Sequence, residues 1–302
     1  MSNLIKPKVV RILKPTKASI EKLKVTVLVE DSVNVKNTNL IAKHGLSILV
    51  ETKLAGVDSK FLMDVGPGPD IALRNAGMID IDMKKIDSIM LSHGHYDHTG
   101  ALLQVLKHID HSIPIIAHPN VFSPKFAYKP ALTSIGIEFD QPAIKTAGGE
   151  LLLTRDSIAL LNGVLSSGEI LRKTYFENTK GFWTVECNNF IEDTVSDDQA
   201  LFINVRNKGL VILTGCAHSG IINTVRQAKR VTGIENVYAI IGGFHLEQAN
   251  DERLQKSIKE LKEIDLKKIY PCHCTGKKAI SQLAKSFGDL CIPIHTGDSI
   301  EF

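Results

Sequence analysis

The chain of 302 residues has a formal net charge of +3, and 43% of its residues are hydrophobic. This composition excludes disordered and fibrous proteins, and it allows one large domain or two ordinary ones. The near balance of charge also disfavours nucleic-acid binding, which needs a broad basic surface. Lysine and proline interrupt the start MSNLIKPKVVRILKPTK, and no apolar run is long enough to span a membrane. We therefore expect a soluble cytoplasmic protein with reduced cysteines and with neither nucleic-acid nor membrane partners.

Hydrophobic patterning divides the chain into strand-like and helical segments. From Val25 to Gly66, the runs VTVLVED, LSILVET and SKFLMDVG predict a meander of strands. Four later segments have helical periodicity, namely DIALRNAGM, TGALLQVLKHI, SGIINTVRQAKRVTG and DERLQKSIKELKEI. They alternate with the apolar runs SIMLSH, IPIIAH, LVILTGC, VYAIIGG and KKIYPCH. This alternation predicts an α/β protein in which helices cover the sheets.

The middle of the chain differs in composition from the regions on either side of it. Residues 119–198 contain several prolines and aromatic side chains, a Gly148-Gly149 break and the polar run IEDTVSDDQ. We expect this stretch to be an insertion or cap between two halves of one core, residues 1–118 and 199–302. Its aromatic side chains serve the insertion's own small core, a ligand-facing surface or a subunit interface, and the sequence leaves these alternatives open.

The segment SHGHYDHTG carries four possible metal ligands within six positions. They are His93, His95, Asp97 and His98, and they follow the apolar run IDSIML. Residues two apart in an extended chain project to the same side, so His93 and His95 can bind one ion. Asp97 and His98 lie on the turn into the next helix and can face a second ion. Four buried ionisable groups in contact would otherwise be unfavourable, so the sequence predicts a metal site here.

The pattern HxHxDH after a strand, preceded by the turn in FLMDVGPG, resembles the metallo-β-lactamase superfamily. The resemblance covers nearly the whole chain outside the insertion. It implies an αβ/βα four-layer sandwich with a two-metal site at one edge, and it implies a metal-dependent transferase or hydrolase. In this family Asp64 would support the loop that holds the ligands without touching the metal itself.

The second half of the chain has histidines at the ends of predicted strands, namely His218, His245 and His273. The last family motif supplies a histidine from such a position, and His273 fits it. Where the family usually has a bridging aspartate, this chain has Cys216. Either the Cys216 thiolate bridges the ions or His218 replaces it as a ligand, and we favour His218. The expected metal ligands are therefore His93, His95, Asp97, His98, His218 and His273.

The thiols beside His273 are expected to stay apart from its metal. In an extended segment, Cys272 and Cys274 point to the side opposite His273. The expected cofactors are two divalent ions, with zinc favoured over iron or manganese, since all three ions accept imidazole and carboxylate.

The segments GCAHSGI, GGFHL and PCHCTG are similar to a dihydropteroate-synthase-like branch of the superfamily, typified by an archaeal enzyme of methanopterin biosynthesis. This resemblance implies transfer of a dihydropterin from its diphosphate to an aminobenzene ribose phosphate, with release of pyrophosphate. The partner would be a phosphorylated small molecule. The alternatives are a metal-dependent hydrolase of phosphodiester, lactone or thioester substrates, and a non-catalytic metal-binding sensor.

Two side chains are the expected catalytic residues. Asp97 would bind metal and accept a proton. His245 follows the flexible pair Gly242-Gly243, where it could contact substrate or act as an acid or base. A structural role for His245 is equally compatible with the sequence.

Four further residues are expected substrate contacts. Thr275 and Lys277 lie at the start of the helical segment KKAISQLAKSF, where free amide groups and the lysine could bind an anion. The alternative is an ordinary helix start with a solvated lysine. Glu169 and Arg172, in SGEILRKTYFE, suit a phosphorylated heterocycle, although such a pair is more often a solvated helical pair.

Overall fold

The computed structural model describes residues 18–34, 36, 39–128 and 130–302. Residues 1–17 lie outside the described residues. They include the start of the predicted first half and the segment on which the expected lack of a signal peptide rests. None of the described helices combines the length and the hydrophobicity that a membrane span requires.

Each apolar run that predicts a strand forms one, and further short strands occur in the middle of the chain. In chain order the described strands are β1 (Lys22–Val29), β2 (Ser47–Leu54), β3 (Val57–Met63), β4 (Ser88–Met90), β5 (Ile113–Ala117), β6 (Phe126–Tyr128), β7 (Leu132–Ser134), β8 (Gly149–Leu153), β9 (Ala159–Leu161), β10 (Val164–Ser166), β11 (Phe182–Glu186), β12 (Asn189–Glu192), β13 (Ala200–Val205), β14 (Gly209–Thr214), β15 (Val237–Gly242), β16 (Lys268–Pro271) and β17 (Ser299–Glu301).

Each segment with helical periodicity also forms a helix. The described α-helices are α1 (Ile71–Met78), α2 (Tyr96–Thr99), α3 (Leu102–Ile109), α4 (Gln141–Thr146), α5 (Ile221–Thr232), α6 (Asp251–Glu263) and α7 (Lys277–Phe287). Local sequence sets their ends. The Asn250 side chain accepts a hydrogen bond from the Arg253 amide at the start of α6, and α5 ends at Gly233, which has a left-handed backbone.

Two sheets pack face to face and carry helices on their outer faces. The first has the strand order β17-β1-β2-β3-β4-β5-β8, and the second has the order β16-β15-β14-β13-β10-β9. Apolar side chains of both sheets, including Val27 and Ile48 of the first and Leu213 and Ile241 of the second, form the layer between them. Helices α1, α3 and α4 cover the first sheet, and α5, α6 and α7 cover the second. This architecture confirms the predicted αβ/βα four-layer sandwich.

The middle stretch, residues 119–198, contributes to the core as well as to a cap. Strand β8 pairs with β5 in the first sheet, and β10 pairs with β13 in the second. Among the described residues, β6, β7, β11 and β12 form a separate four-stranded sheet, which we call the cap sheet. The predicted insertion is corrected accordingly: residues 149–166 complete the edges of the core sheets, where their backbone groups find pairing partners.

Parallel strands bring the histidine-rich loops to one place. Strands β3, β4 and β5 run parallel in the first sheet, and β14, β15 and β16 run parallel in the second. Parallel neighbours end at the same edge of a sheet, so the loops that follow them lie side by side. The loop after β4 carries residues 93–98, and the loops after β14, β15 and β16 carry His218, His245 and His273.

Candidate metal centre

Three imidazoles converge at this edge and form a first candidate ligand group, consisting of His93, His95 and His218. The Nε2 atom of His93 lies 2.9 Å from His95 Nδ1 and 3.2 Å from His218 Nε2. All three side chains are buried, and one ring nitrogen from each lies within 4.8 Å of the others. Three ring nitrogens that face a common point are an arrangement that binds a divalent ion such as zinc.

A second candidate group lies beside the first and consists of Asp97, His98 and His273. The Asp97 Oδ2 atom lies 3.6 Å from His98 Nε2 and 3.5 Å from His273 Nε2, and the two imidazole nitrogens are 3.2 Å apart. The Cys216 Sγ atom lies 3.2 Å from His98 Nε2 and also groups with His93. The sequence left Cys216 and His218 as alternatives, whereas the structure brings both to the centre.

The protonation of the first group suits a metal ion. Burial holds the pKa values of His93, His95 and His218 well below the ordinary value, so their rings are neutral, as metal ligands must be. Burial alone would raise the pKa of Asp97, but the surrounding histidines outweigh it and lower that pKa to about 2. In the described part of the chain, the buried atoms His95 Nε2 and His218 Nδ1 have no hydrogen-bond partner. This donor set fits divalent cations.

Asp64 supports the second group from behind. Its Oδ2 atom accepts hydrogen bonds from His98 Nδ1 and from the Ser92 hydroxyl, both at 2.7 Å, and its Oδ1 atom accepts one from the Ser92 amide at 2.7 Å. A carboxylate at Nδ1 fixes the ring so that Nε2 faces the centre. This contact is the supporting position that the sequence led us to expect for Asp64.

Asp31 and His44 provide a second support that the sequence did not reveal. Asp31 Oδ1 lies 2.7 Å from His273 Nδ1, and Asp31 Oδ2 lies 3.0 Å from His44 Nδ1. The His44 Nε2 atom is 3.5 Å from Asp97 Oδ2. Burial acts to raise the pKa of Asp31, but the hydrogen bonds to both histidines lower it. Both residues lie between β1 and β2 and outside any motif, so only the tertiary structure identifies them.

Residues 193–199, which we call the carboxylate strap, connect the two ligand-bearing loops. Asp197 Oδ2 accepts a hydrogen bond from the Gly94 amide at 2.7 Å, between the first two ligand histidines. Asp198 Oδ2 accepts one from the Ser219 amide at 2.8 Å, directly after His218. The polar run that indicated a domain boundary in the sequence therefore has a second role, which is to hold the loops of the first ligand group in register.

A buried lysine joins the strap to the cap sheet. Lys125 is 1% exposed, and its Nζ atom donates to Asp193 Oδ2 at 3.2 Å and to Asp197 Oδ1 at 2.7 Å. The Lys125 carbonyl accepts a hydrogen bond from the Ile135 amide, and the Ile135 carbonyl accepts one from the Tyr96 amide at 2.9 Å. The cap is thus attached to both sides of the loop that carries the first ligands.

Replacing Gly94 by alanine should distort that loop. A Cβ atom at this position would lie 2.1 Å from the Val121 carbonyl oxygen and 2.9 Å from Lys125 Cε, so the backbone must move. We expect a loss of about 1–3 kcal/mol in the free energy of unfolding, together with weaker metal binding, measured by denaturant titration and metal analysis. Gly77→Ala is the control, because a Cβ atom there meets nothing within 4 Å. Equal stability of the two variants would contradict the crowding argument.

A cleft of about 280 Å³ opens over the metal-ligand groups. The cap sheet contributes Tyr128, Phe182 and Trp183 to its lining. The centroid of the Phe182 ring lies 5.0 Å from that of His95 and 5.2 Å from that of His218, so this ring shields one side of the first ligand group from water. The cap therefore forms part of the wall of the candidate active site.

His245 reaches the same cleft. It has a left-handed backbone, with φ of 47°, and its ring centroid lies 4.2 Å from that of His218. Its Nδ1 atom is buried and has no hydrogen-bond partner within the described ranges. The position fits the predicted contact with substrate, and a role as acid or base stays a prediction.

The turn after β16 differs from the extended segment that we expected. Residues His273–Thr275 form a short 3-10 helix, and His273 has φ of 49°. The Cys274 Sγ atom therefore turns toward the centre and groups with Cys216 and His273, with ligand atoms within 4.8 Å of one another. The expectation that this thiol lies apart from His273 is wrong. It assumed that the chain stays extended through Cys274, whereas the extended backbone ends at Cys272 and a 3-10 helix begins at His273.

The remaining predicted substrate contacts lie at the margins of the centre. The Thr275 hydroxyl is buried and accepts a hydrogen bond from the Phe244 amide at 3.0 Å, while Lys277 is exposed at the start of α7. The Glu169 carboxylate accepts a hydrogen bond from Arg155 at 2.6 Å and does not line the cleft. Direct substrate binding by these three side chains stays a prediction.

Arg172 contacts the first ligand group through the backbone. It donates to the His218 carbonyl at 2.8 Å and to the Val195 carbonyl at 3.0 Å, and it also contacts the Thr194 carbonyl. These bonds link the His218 loop to the strap. Arg172 does not line the cleft, although the sequence suggested it as a substrate contact.

Replacing Arg172 by glutamine should weaken the first metal site. Because the guanidinium fixes the His218 carbonyl, we expect a loss of about 10–100-fold in metal affinity, measured by competition with a chromogenic chelator. Arg155→Gln is the matched control, since that side chain is 54% exposed and its described partners, Glu169 and Asn120, lie outside the cleft. A raised KM with unchanged metal affinity would instead support direct substrate binding.

Comparison with known proteins adds to this geometry. Residues 41–173 match the family described as the metallo-beta-lactamase superfamily. The chain is 38% identical over 289 residues to the 7,8-dihydropterin-6-methyl-4-(beta-D-ribofuranosyl)-aminobenzene-5'-phosphate synthase of Methanocaldococcus jannaschii, covering 94% of this chain and 98% of that enzyme. An uncharacterized protein of the same organism is 31% identical, covering 86% of this chain and 94% of its own.

Solved structures agree with the fold. Tm1679, a metal-dependent hydrolase of the beta-lactamase superfamily, superposes with a TM-score of 0.78 at 25% identity, covering 93% of this chain and 99% of that one. YhfI of Bacillus subtilis, a metallo-beta-lactamase fold protein, has a TM-score of 0.57 at 14% identity over 93% of this chain and all of its own. The named enzyme among the relatives and the superfamily match support an enzyme and disfavour the non-catalytic sensor.

Proposed function

The chain belongs to the metallo-β-lactamase superfamily, and from this premise we propose that it is a metal-dependent transferase that joins a dihydropterin to an aminobenzene ribose phosphate. The observation that carries the proposal is the 38% identity to the archaeal synthase, which extends over 94% of this chain. The grouping of Cys216 and His218 with the motif histidines supports it, because both residues belong to the segment that resembles the synthase branch.

Each motif residue has a role in the proposed centre. We propose that His93, His95 and His218 hold one cation and that Asp97, His98 and His273 hold the other, with Cys216 between them. Two divalent cations, zinc in preference to iron or manganese, would polarise phosphoryl oxygen and neutralise a departing pyrophosphate. The set of imidazoles with one carboxylate and one thiol favours a borderline ion such as zinc.

The transfer itself requires one new bond and one proton acceptor. The acceptor's amine nitrogen bonds to the pterin methylene carbon, the carbon–oxygen bond to the diphosphate breaks, and its electron pair leaves with pyrophosphate. The nitrogen then loses one proton. His245 is the proposed acceptor of that proton, because it lines the cleft and its Nδ1 atom has no partner among the described groups. Phe182 and the cap exclude water from the reacting carbon.

The proposal is tested by the dependence of pyrophosphate release on the acceptor. The zinc-loaded protein is incubated with the dihydropterin diphosphate, with and without the aminobenzene ribose phosphate, and pyrophosphate and the coupled pterin are measured. Release only when the acceptor is present supports the transferase. Absence of release under both conditions, in protein with full metal content, would overturn it.

A hydrolase is the second candidate. Tm1679 supports this candidate, since that protein is a metal-dependent hydrolase. It is 25% identical to this chain, and the match covers 93% of this chain. In the same experiment, release at equal rates with and without acceptor would favour hydrolysis. Phosphodiester, lactone and thioester substrates are then the classes to assay.

A further inference from the structure

A second cleft of about 440 Å³ adjoins the one over the metal-ligand groups. Lys180, His245 and Gln248 line both clefts, so a single ligand can occupy the two at once. The second cleft continues from His245 toward Arg253, in the first turn of α6, and it holds none of the proposed metal ligands. Its chemistry is therefore determined by other side chains.

Arg253 is a half-buried cation without an ion pair in the described part of the chain. One guanidinium nitrogen donates to the Asn178 carbonyl at 3.0 Å, while Nε is buried and has no hydrogen-bond partner among the described residues. The carboxylate that acts most strongly on Arg253 is Glu177, whose two oxygens already accept the Ile222 and Asn223 amides at 2.9 Å. The Glu252 carboxylate also lines the cleft, and Lys256 pairs with it. The guanidinium thus has free capacity to bind an anion.

Two lysines of the neighbouring helices α6 and α7 are paired. Lys256 lies 2.6 Å from the Glu252 carboxylate, and Lys278 lies 2.6 Å from that of Asp251. Lys180, at the junction of the two clefts, is exposed and has no ion pair within the described ranges. The second cleft therefore has two cationic side chains available, Arg253 on α6 and Lys180 at the junction with the metal cleft.

We propose that this second cleft binds a phosphate monoester of the substrate through Arg253 and Lys180. Guanidinium and ammonium groups together favour a dianionic phosphate, and the shared lining residues connect it to the metal cleft. The inference rests on the proposed function, and it assigns the phosphate of the ribose to this cleft and the reacting groups to the metals. Binding energy from a remote phosphate then positions the reacting amine.

The test is binding of ribose 5-phosphate to the zinc-loaded protein by titration calorimetry, with ribose as the uncharged comparison. We expect wild type to bind ribose 5-phosphate and not ribose. Arg253→Gln should weaken binding about tenfold or more, and Arg253→Lys should retain part of it. Arg206→Gln is the control, because that arginine pairs with Glu21 away from both clefts. Thermal melts establish that each variant is folded.

Asp97→Ala separates this cleft from the metals. If the phosphate binds where we propose, Asp97→Ala binds ribose 5-phosphate as well as wild type does. Loss of binding in Asp97→Ala with unchanged binding in Arg253→Gln would mean that the phosphate lies on the metals, and this outcome overturns the proposal. Lack of binding by wild type, or equal binding by a folded Arg253→Gln, overturns it as well.

Turnover distinguishes failure of this inference from failure of the proposed function. If acceptor-dependent pyrophosphate release occurs and Arg253→Gln leaves the KM of the phosphorylated acceptor unchanged, the second cleft is not the phosphate site but the transferase stands. If no transfer occurs while ribose 5-phosphate binding still depends on Arg253, the phosphate site stands and the transferase does not.

Discussion

Replacement of Asp97 by alanine should lower turnover strongly and leave the fold intact. The carboxylate is buried, and its polar neighbours are His44, His98 and His273, at 3.5–3.6 Å. These neighbours belong to the centre and not to the apolar core. We expect a fall in the rate of about 10²–10⁴-fold. We also expect loss of the second cation and retention of the first, because His93, His95 and His218 do not depend on Asp97.

The measurements are turnover, metal content of the purified protein by mass spectrometry, and thermal unfolding. Asp97→Asn keeps the shape but removes the charge, so it should lie between wild type and alanine in metal content. Asp265→Ala is the surface control, since that side chain is 85% exposed and pairs with Lys267 away from the cleft. Wild-type activity in Asp97→Ala would contradict both the second ligand group and the mechanism.

The sequence predicted the parts of this centre that lie within one motif. His93, His95, Asp97 and His98 are close in sequence, and the strand before them sets the direction in which they project. Their grouping with His218 is harder to predict from the sequence. His93 follows β4 and His218 follows β14, and these strands belong to different sheets, so the strand order of both sheets is needed. Apolar runs ending in histidine predicted those strand ends, and this is why the second half of the ligand set was also recognisable.

Other contacts depend on tertiary structure and leave no local signal. Asp31 and His44 lie in a loop between two ordinary strands, and no spacing marks them as supports of His273 and Asp97. The direction of Cys274 depends on a single left-handed residue, His273, which periodicity cannot predict. Likewise, β8, β9 and β10 are short runs among turns, and their place in the core sheets follows only from their partners.

Polar contacts join the cap to the core. Lys125 comes directly before β6 of the cap sheet, and its carboxylate partners belong to the strap that holds Gly94. The cap is therefore connected through Lys125 and Asp197 to the loop that carries His93 and His95. This coupling explains why the middle stretch of the chain combines a charged run with aromatic strands.

Replacement of Lys125 by methionine should destabilise the protein severely. Its loss leaves the carboxylates of Asp193 and Asp197 buried without their cation, and removal of one partner from a buried ion pair costs about 3–5 kcal/mol. We expect this loss in the free energy of unfolding by denaturant titration, with weaker binding of the first cation. Lys60→Met is the matched control: Lys60 pairs with Glu51 at 2.6 Å near the surface, and its loss should change stability by about 1 kcal/mol or less.

A double variant separates the missing charge from the altered shape. Adding Asp197→Asn to Lys125→Met removes one of the two uncompensated charges, so part of the lost stability should return. The side-chain amide oxygen introduced by this second substitution can still accept a hydrogen bond from the Gly94 amide, so binding of the first cation should recover as well. A Lys125→Met variant no less stable than Lys60→Met would show that the triad does not hold the cap to the metal-ligand loop.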